Sequence, residues 1–387
     1  MTKIGIITVS RTNNYGAELQ AFALQRKLVN MGFDAEIIDY LYFKHPKYRW
    51  SKGAKPIIQF SLKHRVKEFV LYRIVSPVFD LFGPVVSRSL RIRKRNFELF
   101  HKRFTSFSST YRSYRELYEA KMDYDIYMVG SDQVWNPATG TSLEPYFLTF
   151  ASSEKRKVSY ASSFGVSEIE SAYRKDYERL INNLDLISVR EEQGVELVEE
   201  LADRESIRVL DPTLLLDRKE WCKYESPIPI EEKKVILIYQ LSPSETIIEL
   251  ANQLHEKTGF PIIRICKGPL FQEKNEKITN VRDAGPSEFL FLFNRAAYVI
   301  TNSFHGTAFS VNFGIPFFVV LSRKKKNNSR LESFLELVGL KNRILFEDNT
   351  QEAIPLLEPI DYELVHEKLK NEQSKSLDFL TKSISVQ

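Results

Sequence analysis

The sequence predicts an α/β protein of two Rossmann-like domains facing a cleft, on three observations. Apolar runs of strand length alternate with amphipathic stretches of helix length, the pattern of parallel sheets with crossover helices. Two such series occur, separated near residues 217–233 by Asp217-Arg218-Lys219 and the Pro227-Ile228-Pro229 stretch. The chain has 387 residues, more than one hydrophobic core usually organises.

The first series opens with a strand over 4–9, a helix over 16–31 and a strand over 34–40. The helix follows Asn13-Asn14-Tyr15-Gly16, stops at Gly32, and aligns Leu19, Phe22, Ala23, Leu24 and Leu28 on one side, as a sheet-covering helix does. A basic helical insertion, about 44–115, then interrupts the alternation. Strands resume at 124–129, 157–161, 184–189 and 208–210. They run into polar clusters: Gly130 to Pro137, Ser162-Ser163-Phe164-Gly165, Arg190-Glu191 and Asp211-Pro212-Thr213. Ligands of open α/β sheets bind beyond the carboxyl ends of the strands, where these clusters fall. Asp211, before a proline, reads as a turn former. The second series has strands at 235–239, 261–266, 298–302 and 317–321, with helices at 244–258, 287–297 and 306–313. The expected domains are 1–216, 217–360 and a C-terminal helix within 361–387.

Composition excludes several classes. The hydrophobic fraction of 43% and charged fraction of 27% are those of an ordinary soluble globular protein. Cys222 and Cys266 belong to no CxxC and have no nearby His pair, which argues against a disulfide scaffold or zinc site. No GxGxxG or Walker A sequence marks a dinucleotide or P-loop fold. The N-terminus opens on a strand rather than a signal peptide, and no apolar run has membrane-spanning length, so a cytoplasmic protein is expected.

The net charge of +5 conceals an asymmetry. Residues 44–115 hold 18 Lys/Arg against Glu68, Asp80 and Glu98, a net of +15 that leaves −10 for the rest. Lys63, Arg65, Lys67 and Arg73 interleave with Val66, Phe69, Val70 and Ile74, the pattern of a basic amphipathic helix. Such a helix suits an anionic membrane surface, and equally a solvated face packed on the fold. No nucleic-acid motif accompanies the charge, so nucleic acid is not an expected partner. Peripheral attachment at the inner face of the cell membrane is the expectation.

The most informative segment is Val299-Ile300-Thr301-Asn302-Ser303-Phe304-His305-Gly306-Thr307. An apolar strand runs through a short loop into a helix, delivering the His305 imidazole to a helix N-terminus, where backbone N–H groups favour an anion. A capping turn with an incidental histidine is the alternative. The other five histidines have no such context and read as surface or packing residues.

Four motifs together resemble the polysaccharide pyruvyl transferase family: Asn13 to Gln25, Val129 to Asn136, Ser188-Val189-Arg190-Glu191, and Thr301 to Thr307. They occur in the family's order. The resemblance implies a GT-B-like fold and transfer of the enolpyruvyl group of phosphoenolpyruvate to two hydroxyls of a sugar, giving a cyclic ketal. It implies no cofactor beyond phosphoenolpyruvate as co-substrate, and no metal. His305 matches the family's catalytic histidine. Ser303 stands where one branch carries a phosphate-binding arginine, so another group must neutralise the phosphate, and Arg190 is the candidate, a guanidinium being suited to bidentate anion binding; a surface helix-start residue paired with Glu191 or Glu192 is the alternative. Phosphoenolpyruvate is then expected at Arg190, Ser303, Phe304, Gly306 and Thr307, with N–H donors at Gly306-Thr307-Ala308. The acceptor is expected at Asn14, Tyr15, Gly16, Trp135 and Asn136, with Asp132 as base; a structural Asx-turn with Trp135 in the core remains open. The acceptor implied is a hexose such as galactose, ketalated at positions 4 and 6; the charge of residues 44–115 suggests that it is carried on a membrane lipid. Two rival readings stand beside this one: a GT-B glycosyltransferase using a nucleotide sugar, and a non-catalytic glycan-binding member.

Overall fold

The computed structural model describes residues 1–58, 67–68, 70–75, 78, 81–83, 85, 87–266, 275–323, 328–347 and 358–385, with backbone alone at 73–74. The chain packs as two units: Met1–Val86 with His101–Leu215 and Glu372–Gln387, and Ser87–Phe100 with Leu216–Asn371. Each is a Rossmann-like α/β unit built on a parallel sheet.

The first unit holds a four-stranded sheet in the order β2-β1-β3-β4. Its strands are β1 (Lys3–Ile7), β2 (Asp34–Ile37), β3 (Ile126–Val129) and β4 (Arg156–Ser159), all parallel. A short parallel pair, β5 (Ser188–Val189) with β6 (Ile207–Arg208), is joined to the β4 side by the bridges Val158↔Leu186 and Ser162↔Val189. Helix α1 (Tyr15–Asn30) covers the sheet, and Leu24 and Leu28 join Ile4, Ile6, Ile126 and Met128 in one fully buried cluster. Leu380 and Ile384 from the C-terminal end of the chain complete it. Most residues of these strands are buried, because a parallel sheet is covered on both faces.

The second unit holds a six-stranded parallel sheet in the order β12-β11-β10-β7-β8-β9. Its strands are β7 (Val235–Tyr239), β8 (Ile262–Ile265), β9 (Ile278–Val281), β10 (Ala296–Thr301), β11 (Phe317–Leu321) and β12 (Ile344–Phe346). Strands β9 and β12 escape the sequence reading, because each is short and lies at a sheet edge. Helix α2 (Arg88–Phe104), read as part of the basic insertion of the first domain, belongs over Ser87–Phe100 to the second unit. There the buried Arg93 donates to the carbonyls of Cys266 at 3.1 Å and Ala284 at 3.2 Å. Arg93 is thus a structural tie and not a surface charge. The expected C-terminal helix is α3 (Tyr362–Ile384), whose residues up to Asn371 pack with the second unit and the rest with the first.

Of the basic amphipathic helix expected around 63–74, Lys63, Arg65, Val66 and Phe69 lie outside the described residues, as do the side chains of Arg73 and Ile74. Among the described residues no helix is long and apolar enough to cross a membrane.

Candidate functional site

Both sheets reverse their strand order beside the first strand of the unit. In the first unit β2 and β3 flank β1, so the switch lies between β1 and β3; in the second, β8 and β10 flank β7, so it lies between β7 and β10. Such switch points open a crevice at the carboxyl ends of the strands. Three of the four sequence motifs lie there, after β1, β3 and β10, while Ser188-Val189-Arg190-Glu191 belongs to β5 and the loop that follows it.

In the second unit β10 leads into helix α4, which we define as Phe304–Phe313 with Ser303 as its N-cap. His305 is therefore in the first turn of the helix, one step further in than a loop position. The turn is held from beneath. The Thr301 hydroxyl donates to the Tyr239 carbonyl at 2.6 Å and accepts from the Ser303 amide at 3.0 Å. Asn302 ties the ends of β7 and β10, accepting from the Leu241 amide at 2.7 Å and donating to the Ser242 carbonyl at 2.9 Å. Gly306 is required by space: a Cβ there would stand 2.3 Å from Thr301 Oγ1 and 3.0 Å from Tyr239 Cδ1.

These contacts reassign most of the expected phosphoenolpyruvate ligands. Ser303 is buried, and its hydroxyl accepts from the Gly306 amide at 3.4 Å as a helix cap. The Thr307 amide and hydroxyl both donate to the Ser303 carbonyl at 3.0 Å. The donors expected at Gly306 and Thr307 are thus engaged within the turn. Phe304 is 8% exposed, with its ring 5.7 Å from that of Phe334. Of residues 303–307, His305 alone is not buried. Its ring stands edge-on to Phe304 at 5.4 Å. A side chain able to transfer a proton is presented by a turn that is otherwise packed and capped.

In the first unit three adjacent loops carry unusual backbone. Arg11 and Asn13 after β1, Asp132 after β3 and Ala161 after β4 have φ of 54°, 53°, 77° and 54°. Left-handed conformations of residues other than glycine cost about 1–2 kcal/mol each and collect where function over-determines the backbone. Thr8 fastens the first two loops by donating to the Ser131 carbonyl at 2.7 Å. Glu18 fastens the first from the helix side: its carboxylate accepts from the Thr12 amide at 2.8 Å and meets His101 Nε2 at 2.8 Å. Burial alone would raise the Glu18 carboxyl, but the His101 charge and the hydrogen bonds from His101, Thr12 and Arg11 outweigh it and hold the carboxyl below its ordinary value. His101 is therefore a buried partner of a carboxylate, a role its sequence context does not announce.

Asp132 is half-buried, with Oδ1 accepting from the Gln133 amide at 2.9 Å. Other acceptor candidates prove structural. Trp135 is fully buried, stacked on Phe147 at 4.7 Å and donating Nε1–H to the Tyr146 carbonyl at 2.8 Å. Its indole is a core wedge and not a sugar platform. Tyr15 and Gly16 are buried in the first turn of α1, and Asn14 caps that helix by accepting from the Gly16 amide at 3.1 Å. Asn136 accepts from the Ala138 amide at 2.8 Å and donates to Gln133 Oε1 at 2.8 Å.

Arg190 departs most from expectation. Its side chain is 2% exposed, with Nε 3.0 Å from Glu191 and Nη1 3.0 Å from Asp211. Ser131 donates to the same Asp211 oxygen at 2.9 Å, and Ser163 donates to the same Glu191 oxygen at 2.8 Å. Asp211 also accepts from the Thr213 amide and hydroxyl at 3.0 and 2.7 Å. Burial works against the guanidinium charge, but Glu191, Asp211 and Asp132 outweigh it and hold Arg190 more firmly protonated than usual. Arg190 is thus a buried knot joining the loops after β3, β5 and β6. Two carboxylates, Glu191 and Asp211, already balance its charge inside the protein. Asp211, read as a turn former, belongs to this knot as well.

The family model for polysaccharide pyruvyl transferases matches residues 14–323, most of the chain and all but the start of the motif set. The chain belongs to that family. No curated protein matches the sequence significantly. Among solved structures the chain is similar to the UDP-GlcNAc 2-epimerase of Neisseria meningitidis bound to UDP-GlcNAc, with 11% identity, a TM-score of 0.51, and coverage of 99% of this chain and 100% of the other. It is also similar to the S. aureus MnaA–UDP structure, with 10% identity, a TM-score of 0.49, and coverage of 98% and 96%. At such identity the first likeness shows the fold, which is GT-B-like, and nothing of the substrate.

Proposed function

We propose that the protein transfers the enolpyruvyl group of phosphoenolpyruvate to two hydroxyls of one hexose, with His305 as the general acid. The observation that carries this is the β10–α4 turn, which stands at a topological switch point and presents His305 from an otherwise buried segment. His305 gives a proton to the methylene carbon of phosphoenolpyruvate, and C2 becomes an electrophile with oxocarbenium character. A sugar hydroxyl adds to C2 and surrenders its proton to a base. Phosphate then leaves with its bridging oxygen, and a second hydroxyl closes the ring, its proton passing to the released phosphate. The product is a methyl-bearing cyclic ketal plus inorganic phosphate, with galactose and its 4- and 6-hydroxyls as the acceptor proposed.

Binding of the donor is tested without the acceptor. In a thermal-shift assay phosphoenolpyruvate is expected to raise the melting temperature, since a ligand bound only by the folded state stabilises it by mass action. A panel of nucleotide sugars is expected to leave it unchanged. Stabilisation by a nucleotide sugar instead would replace this reading with that of a glycosyltransferase.

A further inference from the structure

The described residues between 67 and 86 are unusual in what they leave in solvent. Leu71, Val75, Val78, Leu81, Phe82 and Val85 are all exposed, reaching 67% for Leu81, 56% for Phe82 and 77% for Val85. Single exposed apolar residues are ordinary, but a run of this density on one short segment marks an interaction surface.

Its surroundings indicate what it meets. Tyr72, on the π-helical turn Leu71–Val75, packs edge-on to Phe43 at 6.0 Å, and Trp50 packs on the same Phe43 at 6.3 Å. Trp50 is itself 47% exposed, so an indole lies beside the apolar run, as at membrane–water interfaces. Lys44 Nζ stands 5.4 Å from the Tyr72 ring, and the exposed Lys47, Arg49, Lys52 and Lys55 follow with no acidic residue among them. Apolar side chains, an indole and a one-sign cationic fringe are complementary to an anionic bilayer surface. With no membrane-spanning helix among the described residues, the contact is interfacial.

The same segment adjoins the acceptor loop of the first unit. A Cβ at Gly140, four residues past Asn136, would lie 3.0 Å from Glu68 Oε2. Tyr42, stacked edge-on to Phe43 at 4.6 Å, has its hydroxyl pushed up by burial and then by the charges of Asp132, Tyr72 and Glu68. The apolar run and the loop carrying Asp132 are therefore neighbours.

We propose that the exposed side chains of Val70, Leu71, Val75, Val78, Leu81, Phe82 and Val85 insert into the interface of an anionic membrane, bringing the Asp132 loop to an acceptor sugar carried on a lipid. The insertion stands on the surface itself; the lipid-borne acceptor rests on the pyruvyl-transfer reading. The test is sedimentation with vesicles of phosphatidylglycerol and phosphatidylcholine, comparing the wild type with Leu81→Asp/Phe82→Asp and, for charge, with Lys47→Glu/Lys52→Glu. The wild type is expected to sediment, and each double variant to lose about tenfold or more in partition coefficient while melting as the wild type does. The Asp variant should remain weak at low salt, where a purely electrostatic contact would persist. No sedimentation of the wild type, or sedimentation indifferent to Leu81→Asp/Phe82→Asp, would overturn the proposal. So would a wild-type dimer in solution that the same substitutions dissociate, which would assign the surface to a second copy. Phosphate release with a water-soluble acceptor is expected to be equal in all three proteins; its absence in all of them would refute the catalytic reading and leave the membrane result standing.

Discussion

Replacing His305 by Gln is expected to lower kcat for phosphate release roughly 10²–10⁴-fold, the usual contribution of a positioned general acid. The substitution keeps a polar side chain of similar reach at a site that is neither fully buried nor part of the Ser303 cap. Folding should be unaffected, because Thr301, Asn302 and Thr307 hold the turn without the imidazole. Donor binding should survive as well, so phosphoenolpyruvate should still shift the melting temperature. This separation of binding from turnover is what distinguishes an acid from a binding group. Full activity in His305→Gln would remove the proposed chemistry.

Replacing Arg190 by Ala has a different expected result, a loss of stability. The guanidinium balances Glu191 and Asp211 in a site from which water is excluded. Removing one partner of such a cluster leaves buried carboxylates uncompensated and costs about 3–5 kcal/mol. For a unit of this size that corresponds to a fall in melting temperature of roughly 6–20 °C. Arg190→Lys should lose less, since it restores the charge without the fork that reaches both carboxylates. Differential scanning calorimetry decides the matter. A variant that melts as the wild type does and loses only its response to phosphoenolpyruvate would return Arg190 to the phosphate.

The elements themselves were largely legible in the sequence. Parallel strands such as Val235–Tyr239 and Phe317–Leu321 are continuous apolar runs, and Gly259 and Gly314 end their helices in the left-handed conformation that glycine favours. The location of the His305 turn was legible for the same reason, since an apolar strand, a serine cap and a glycine in succession specify it. What one-dimensional reading could not resolve was which polar side chains face inward. Trp135, Asn136 and Asn14 have the chemistry of a sugar site, yet one fills the core and two satisfy backbone amides. Arg190 has the chemistry of a phosphate site, yet its carboxylate partner Asp211 lies 21 residues away and is brought to it by the pairing of β5 with β6. The His101–Glu18 contact spans 83 residues and has no local signal at all. The basic segment was visible as charge, while its exposed apolar run depends on which side chains the fold leaves uncovered.

The most direct test of the central claim is to incubate the protein with phosphoenolpyruvate and a galactosyl acceptor in D₂O and examine the products by mass spectrometry and NMR. The expected products are inorganic phosphate and an acceptor enlarged by one pyruvate ketal, with a single deuterium in the ketal methyl group, placed there when C3 is protonated. Phosphate without ketal, or a ketal whose methyl group carries no solvent deuterium, would contradict the claim.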